Sequence, residues 1–480
     1  METPLKTESD ELLFASGIEQ AALIRSREIS SVELVQAHLD RIAELNPKLG
    51  AYILVTEEAA LADARKADHL VRGRPAEELP MFCGVPTSIK GAIEVDGLPT
   101  FWSTNAVEAP IAGEDAYPVR RMREAGFVIL GKTNLPEMSM GGSESWANGT
   151  CRNAWNLDYD AGGSSSGAGV ATAAGLGAIA LGADGGGSIR NPASYNGVVG
   201  LKPARGRVSC GPYLGEMIAG LGTDGPLTRT VRDAAALLDV IGRYETGDPY
   251  WAPAPARPFA SEPGRGGRLR IAVATDTSGE IEIHPDCIAA ADHAAKIVES
   301  LGHHVEVATP DWGGLELIHQ AFRVFAMIAP TLAGVSPDAY QKLEPRNRAV
   351  AEMAQKLSAA EYINAVMELH RFSRRFVKFF DDYDVVLSPT LGLPPMRLGT
   401  FSPDNDELLE VKGAQACHFT LPANVTGQPA ISIPLWWNSD RMPIGVQLLG
   451  RPADEGTILR LAAELEVACP WADKRPPLKW

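Results

Sequence analysis

Between Gly141 and Gly200 this chain carries glycine at a density that neither a helix nor a strand favours. Two runs stand out, Gly162-Gly163-Ser164-Ser165-Ser166-Gly167 and Asp184-Gly185-Gly186-Gly187-Ser188-Ile189-Arg190, on either side of a small-residue segment. An interior glycine costs about 1 kcal/mol relative to alanine, so something other than packing must favour these runs. Main chain that approaches a ligand closely is one reason, and N–H groups converging on an anion is another. Flexible surface turns are the bland alternative, but turns seldom come as two serine-bearing glycine runs flanking one helix.

A serine in this region needs a base. The nine histidines are His38, His69, His284, His293, His303, His304, His319, His370 and His418, so none lies near the glycine runs in sequence. A neutral lysine is then the remaining activator. Lys90 lies in the apolar strand signal Gly84-Val85-Pro86-Thr87-Ser88-Ile89-Lys90-Gly91, and enclosure would lower its pKa. A surface lysine on an edge strand fits the same residues. A second catalytic reading also stands: Gly163-Ser164-Ser165-Ser166-Gly167 matches the G-x-S-x-G elbow. That reading makes Ser165 the nucleophile of an α/β-hydrolase esterase, with His418 and Asp384 as its partners.

The rest of the sequence bounds the fold. With 45% apolar and 22% charged residues among 480, disorder and coiled coil are excluded. A net charge of −16 without a basic face argues against nucleic acid as a partner. Six widely separated cysteines with no CxxC pair suggest neither a metal site nor a disulfide framework. The N-terminus lacks a signal-peptide pattern, and Ala168–Ala183 is too short for a bilayer span. A cytoplasmic protein is expected.

Short apolar runs alternate with helical stretches, which predicts an α/β fold with a central mixed, twisted sheet covered by helices on both faces. One large domain is expected, with an N-terminal helical part over 1–80 and a core over 81–244. A Pro/Gly-rich connection over 245–268 precedes a second half (269–480) with a helical insertion near 310–380. The capping box Ser30-x-x-Glu33 starts a helix that Asn46-Pro47 should stop. Ser166–Leu181 reads as one small-residue helix, Val85–Val95 as a bent strand, and Asp338–Phe380 as a long helical region.

Two motifs imitate nucleotide sites. Gly126-Phe-Val-Ile-Leu-Gly131-Lys132-Thr133 has the spacing of a phosphate loop, but its middle reads as a buried strand and Pro136 obstructs the helix that should follow. Gly175-x-Gly177-x-x-Ala180 imitates a dinucleotide fingerprint, without a clear strand before it.

The run from Gly162 to Pro203 resembles the signature stretch of the amidase signature hydrolases. Gly84-Val-Pro86 leading to Lys90, Gly131-Lys-Thr-Asn-Leu-Pro-Glu137 and Gly427-Gln-Pro-Ala-Ile-Ser432 match further family landmarks. Gly211–Asp248 and the ending near Pro470-Trp471 are most similar to the branch of 6-aminohexanoate cyclic-dimer hydrolases, with aryl amidase and urethanase-like relatives nearby. The resemblance implies a serine hydrolase of amides, with carbamates and activated esters as further substrates. Ser188 would be acylated, Ser164 would be the cis-serine bridge and Lys90 the base. The N–H groups of Gly185, Gly186, Gly187 and Ser188 would form the oxyanion hole, braced by Asp184, Arg190 and Ser165. Met138, Ser139, Trp146 and Tyr213–Leu221 would border the cleft, with Trp312, Phe322 and Phe325 farther out.

The family chemistry needs no metal or organic cofactor and takes a small-molecule substrate, with no membrane partner and a monomer or homodimer expected. Two positions depart from the family pattern: Ser166 replaces a usual glycine and Asn196 a common cysteine. The glutamine-hydrolysing subunit of a tRNA-dependent amidotransferase shares the signature and is the rival reading.

Overall fold

Short runs of Val, Ile and Leu bounded by Gly, Pro or Asn extend as strands when both their faces are covered. In the computed structural model, which describes residues 5–277, 279–404 and 409–478, eleven strands, most of them of this kind, build one sheet. They are β1 (Tyr52–Val55), β2 (Pro86–Lys90), β3 (Val128–Thr133), β4 (Ile179–Asp184), β5 (Val199–Lys202) and β6 (Thr223–Thr228). The second half supplies β7 (Arg270–Val273), β8 (His304–Val307), β9 (Val385–Pro389), β10 (Ala430–Trp437) and β11 (Pro443–Gly450). Their spatial order is β1-β3-β2-β4-β6-β5-β10-β11-β9-β7-β8.

The sheet is mixed. β2 runs parallel to both β3 and β4, and β7 runs parallel to β8 and β9. The β4–β6, β6–β5, β5–β10, β10–β11 and β11–β9 pairs are antiparallel, which joins the two halves into one continuous ladder. On one face Ile89, Ile129, Leu181, Leu201, Ile431 and Val385 pack with helices Tyr117–Glu124, Val231–Ile241, Pro285–Ser300 and Glu455–Ala468. On the other, Val386, Ala430 and Leu449 pack with helices Gly314–Leu332 and Ala359–Val377. The small-residue helix Ser166–Ala173 is buried at every position, and residues of such small size let it lie close against the sheet. No helix among the described residues is long and apolar enough to cross a membrane.

Several boundaries differ from the sequence expectation. The helix expected over Ser166–Leu181 ends at Ala173, and Ile179–Asp184 is instead the buried strand β4. Small apolar residues suit both conformations, and the ladders to β2 and β6 decide between them. Asn46-Pro47 does not stop the first long helix, which runs Ser31–Leu49 and ends where Gly50 adopts φ 61. The proline removes one helical N–H, whereas the left-handed glycine reverses the chain. The bent strand expected over Val85–Val95 contracts to β2. The long helical region breaks into Pro337–Lys342 (3₁₀), Pro345–Lys356 and Ala359–Val377, the last opened by a Ser358–Glu361 capping box. β6 escapes sequence reading because Gly225 and Pro226 sit inside it.

The phosphate-loop imitation is strand β3, with the Lys132 ammonium donating to the Ile93 carbonyl. Gly175 and Gly177 occupy the turn between helix and strand, the reverse of the strand–helix order a dinucleotide fingerprint requires.

A buried ion pair clamps the closing helix to the loop that follows β5. Arg207 donates from Nε and Nη2 to the two carboxylate oxygens of Glu455, at 2.9 and 3.1 Å. Glu455→Ala leaves that guanidinium buried without its counter-charge and should cost about 3–5 kcal/mol. The expected result is a lowered urea midpoint, with a smaller drop for Glu455→Gln; an unchanged midpoint in the alanine variant would show that the clamp contributes nothing.

Candidate active site

Lys90 is the last residue of β2, a strand flanked by neighbours on both sides, and is only 1% exposed. Its Nζ donates to Ser164 Oγ at 2.6 Å. Burial pulls its pKa down to about 7, although the negative charges of Asp224 and Asp184 resist the shift. Lys132 and Lys202 are also enclosed and brought down by burial, to about 8 and about 7. Both donate to main-chain carbonyls, of Ile93 and Pro203, whereas Lys90 is hydrogen-bonded to a serine hydroxyl.

Ser164 belongs to the first glycine run and follows a cis peptide bond from Gly163. A Cβ on Gly163 would meet the Gly141 and Gly142 carbonyl oxygens at 2.1 and 2.4 Å, so this crossing of two loops admits no side chain. The adjacent hydroxyls serve other ends. Ser165 Oγ donates to the Ala183 carbonyl at 3.1 Å and accepts from the Ala183 N–H at 3.2 Å. Its main-chain N–H donates to the Ser188 carbonyl at 3.1 Å, so it staples the two runs together. The departures from the family pattern join this bracing: Ser166 Oγ donates to Gly142, and Asn196 Nδ2 donates to Ala161 and Pro192.

The second run leaves β4 at Asp184, whose two oxygens receive Arg190 Nη2 and Nε, each at 2.9 Å. Both side chains are fully buried. Burial alone would raise the Asp184 carboxyl, but the charge and hydrogen bonds of Arg190, with Lys202 and Asn424, outweigh it and hold it well below the carboxylate range. Arg190 also donates to the Thr420 carbonyl, Gln447 Oε1 and Asn424 Oδ1, and Thr420 Oγ1 donates to the Gly186 carbonyl. The loop is thereby pinned from below and from the second half of the chain. Gly187 has φ 128, and a Cβ there would lie 2.5 Å from Thr420 Oγ1. The oxyanion set expected from sequence loses one member here: the Gly187 N–H is taken by Asp184 Oδ1 at 2.7 Å.

Two cavities meet at Ser188. The inner one, about 80 Å³, is lined by Lys90, Ser164 and Ser188 together with Glu94, Asp224 and apolar side chains. The outer one, about 530 Å³, is lined by Ile318, Phe322, Phe325, Val350 and Met353, with Arg346 and Asp160 among its polar groups. The inner lining contains Met138, Ser139, Leu214, Met217 and Ile218. Trp146 and Tyr213 line neither cavity; the Tyr213 hydroxyl instead accepts from the N–H groups of Gly113 and Glu114. Trp312 is core, packed against Phe376, His418 and Phe419, while Phe322 and Phe325 do reach the outer cavity.

The esterase reading fails on the same geometry, because the hydroxyl of Ser165 is occupied by main chain and fully buried. His418 stands among aromatic rings, where burial lowers it to about 4.

Comparison with known proteins finds likeness over most of the chain. Residues 33–459 match the family model described as Amidase. The chain belongs to the amidase family. The 6-aminohexanoate-cyclic-dimer hydrolase of Paenarthrobacter ureafaciens is 36% identical over 490 residues, covering 97% of each chain. A solved 6-aminohexanoate cyclic dimer hydrolase with bound substrate superimposes with a TM-score of 0.89 at 35% identity, covering 97% of this chain and 99% of that one. A bacterial aryl acylamidase of the amidase signature family follows at 0.87 and 26% identity, covering 96% and 97%. This amidase is therefore a hydrolase acting on amide C–N bonds.

Sequence reading missed Thr420, Asn424 and Gln447, which reach the loop from more than two hundred residues away. It also missed Asp224 and Glu94. For Thr420 and Asn424 the one available signal was their closeness to the Gly427-Gln-Pro landmark.

Because Lys90 is held below its ordinary value of 10.5, its burial opposes folding in full below about pH 7 and progressively less as pH rises toward that value. Lys90→Met should therefore raise the thermal midpoint at acidic and neutral pH, with the advantage shrinking toward pH 10. A difference that grows with pH in differential scanning calorimetry would contradict an enclosed, depressed lysine.

Proposed function

We propose that this amidase works through an acyl-enzyme on Ser188, with Lys90 as the base and Ser164 as the relay between them. The Lys90–Ser164 hydrogen bond at 2.6 Å carries this reading. A lysine enclosed in a strand and brought to about 7 is neutral in a useful fraction near physiological pH, which a solvated ammonium is not.

In the first half-reaction Ser188 Oγ bonds to the substrate carbonyl carbon and gives its proton to Ser164 Oγ, while Ser164 passes its own to Lys90 Nζ. The negative charge that develops on the carbonyl oxygen faces the N–H groups of Gly185, Gly186 and Ser188, a donor set that needs no reorganisation. Lys90 and Ser164 then return a proton to the departing amine as the C–N bond breaks. Water takes the place of the amine, attacks the acyl carbon with the same relay as base, and releases the acid and free Ser188.

The apolar side chains of the outer cavity favour aryl and alkyl amides, with carbamates and activated esters as further substrates of the same acyl transfer. A fluorophosphonate followed by peptide mass mapping should place the label on Ser188. Ser188→Ala and Lys90→Ala should each lower kcat/KM on an aryl anilide by about 10³-fold or more, and His418→Ala by no more than a few-fold. Activity lost with His418 and kept without Lys90 would reverse the assignment. A panel in which free glutamine is cleaved faster than any aryl amide would instead favour the glutamine-hydrolysing subunit.

The pH dependence follows from the base. Lys90 must be unprotonated in the free enzyme, so kcat/KM should rise through about pH 7 and stay high on the alkaline side. A profile peaking below neutrality would eliminate a lysine base.

A further inference from the structure

The inner cavity holds a carboxyl that takes no proton or bond in the acyl transfer, although its charge acts on Lys90. Asp224 sits on β6 directly across from Ala183 of β4, beside the start of the catalytic loop, and its side chain lines the cavity. It is 4% exposed, and its Oδ1 is buried without a hydrogen-bond partner. Such a carboxylate is costly to leave unpaired, by about 1–3 kcal/mol or more for a charged group. Lys90 is near enough to favour its ionised form, yet the Lys90 ammonium is hydrogen-bonded to Ser164 instead. Burial and the charge of Glu94 push the Asp224 carboxyl up to about 7.

Glu94 is a second carboxyl on the same cavity wall. Burial raises it as well, with the Lys132 charge opposing the shift. Asp184, the third acid of this wall, is already paired with Arg190. The same lining carries the apolar side chains of Trp102, Met138, Leu214, Met217, Ile218 and Phe325, beside Lys90, Ser139, Ser164 and Cys210. Two acids and a set of apolar side chains on one lining suit a short alkyl chain ending in a cation, in a cavity that Ser188 also borders.

We propose that the inner cavity is an ammonium-binding subsite, in which Asp224 and Glu94 receive the protonated terminal amine of an aminoalkyl arm on the amide substrate. This rests on the active site proposed above and narrows its substrate class to amides that carry a primary amine a few methylenes from the scissile bond. The methylenes lie against the methionine, leucine and isoleucine side chains. The ammonium supplies Asp224 with the donor it lacks, and it separates two carboxyl groups that otherwise repel.

Binding and turnover test this separately. At about pH 8, where an alkylamine remains charged, calorimetry on the full-length enzyme should show n-pentylammonium binding at least about tenfold more tightly than 1-pentanol. Asp224→Asn should remove that preference, and Glu94→Gln should reduce it. In turnover, 5-aminopentanoyl p-nitroanilide is compared with hexanoyl p-nitroanilide, and N-(5-aminopentyl)benzamide with N-hexylbenzamide. One of the two pairs should favour the amine by about tenfold in kcat/KM, and the ratio should collapse to near unity in Asp224→Asn. The ratio cancels any effect of that substitution on Lys90, which acts on both members of a pair. Equal affinity for the ammonium and the alcohol, or a preference that survives both substitutions, would overturn the subsite. Ammonium binding that depends on Asp224 in an enzyme that cleaves no amide would instead overturn the acyl-transfer reading and leave the subsite standing.

Discussion

The bidentate pair between Asp184 and Arg190 is the interaction on which the remainder of the site depends. It closes a loop of three consecutive glycines that has no side chains of its own to hold it. Arg190 is buried with every donor directed at a partner: Asp184 on its own loop, Thr420 and Asn424 on one side, and Gln447 of β11 on the other. A charged pair removed from water repays its desolvation only when its geometry and additional hydrogen bonds are good, and here they are. The same contacts join the first half of the chain to the second, so the shape of the glycine loop reports on the assembly of the whole sheet.

A second constraint is the placement of three lysines inside the sheet region. Lys90, Lys132 and Lys202 all end or nearly end strands, and all are stripped of water. Each is held below the usual lysine range by that burial. Only the neighbours differ: two lysines face carbonyl oxygens, which stabilise an ammonium, and Lys90 faces a hydroxyl that can exchange a proton with it. The balance between desolvation and the nearby acids Asp184 and Asp224 is what poises Lys90 near neutrality. Those acids come from β4 and β6, two strands that are neighbours only because the sheet is mixed.

How the two glycine runs converge was partly legible in advance. Their composition, the serines within them and the missing local histidine all pointed to close backbone approach and to a base other than imidazole. Strand β2 was legible from its apolar residues, although its length was overestimated. Strand β4 was not, because Ile179–Asp184 is made of residues that a helix accepts equally well and only the ladders on both sides select the extended form. Strand β6 was hidden by Gly225 and Pro226, which local rules assign to turns. Trp146 and Tyr213 were expected at the cleft from the family resemblance and Trp312 farther out, and none of the three lines either cavity.

By itself the sequence determined the local chemistry: where the main chain must be bare, which hydroxyls sit at its turns, and which lysine lies in an apolar strand. These are properties of neighbouring residues and survive without knowledge of the fold. Tertiary structure decided which of those hydroxyls meets the lysine, since Ser164 and Ser165 are adjacent yet face opposite duties. It also decided that Gly187 serves Asp184, and that Asp224 shares a cavity with Ser188. Such outcomes depend on strand order and register across long stretches of chain, and a one-residue change in register would send every side chain to the other face of the sheet.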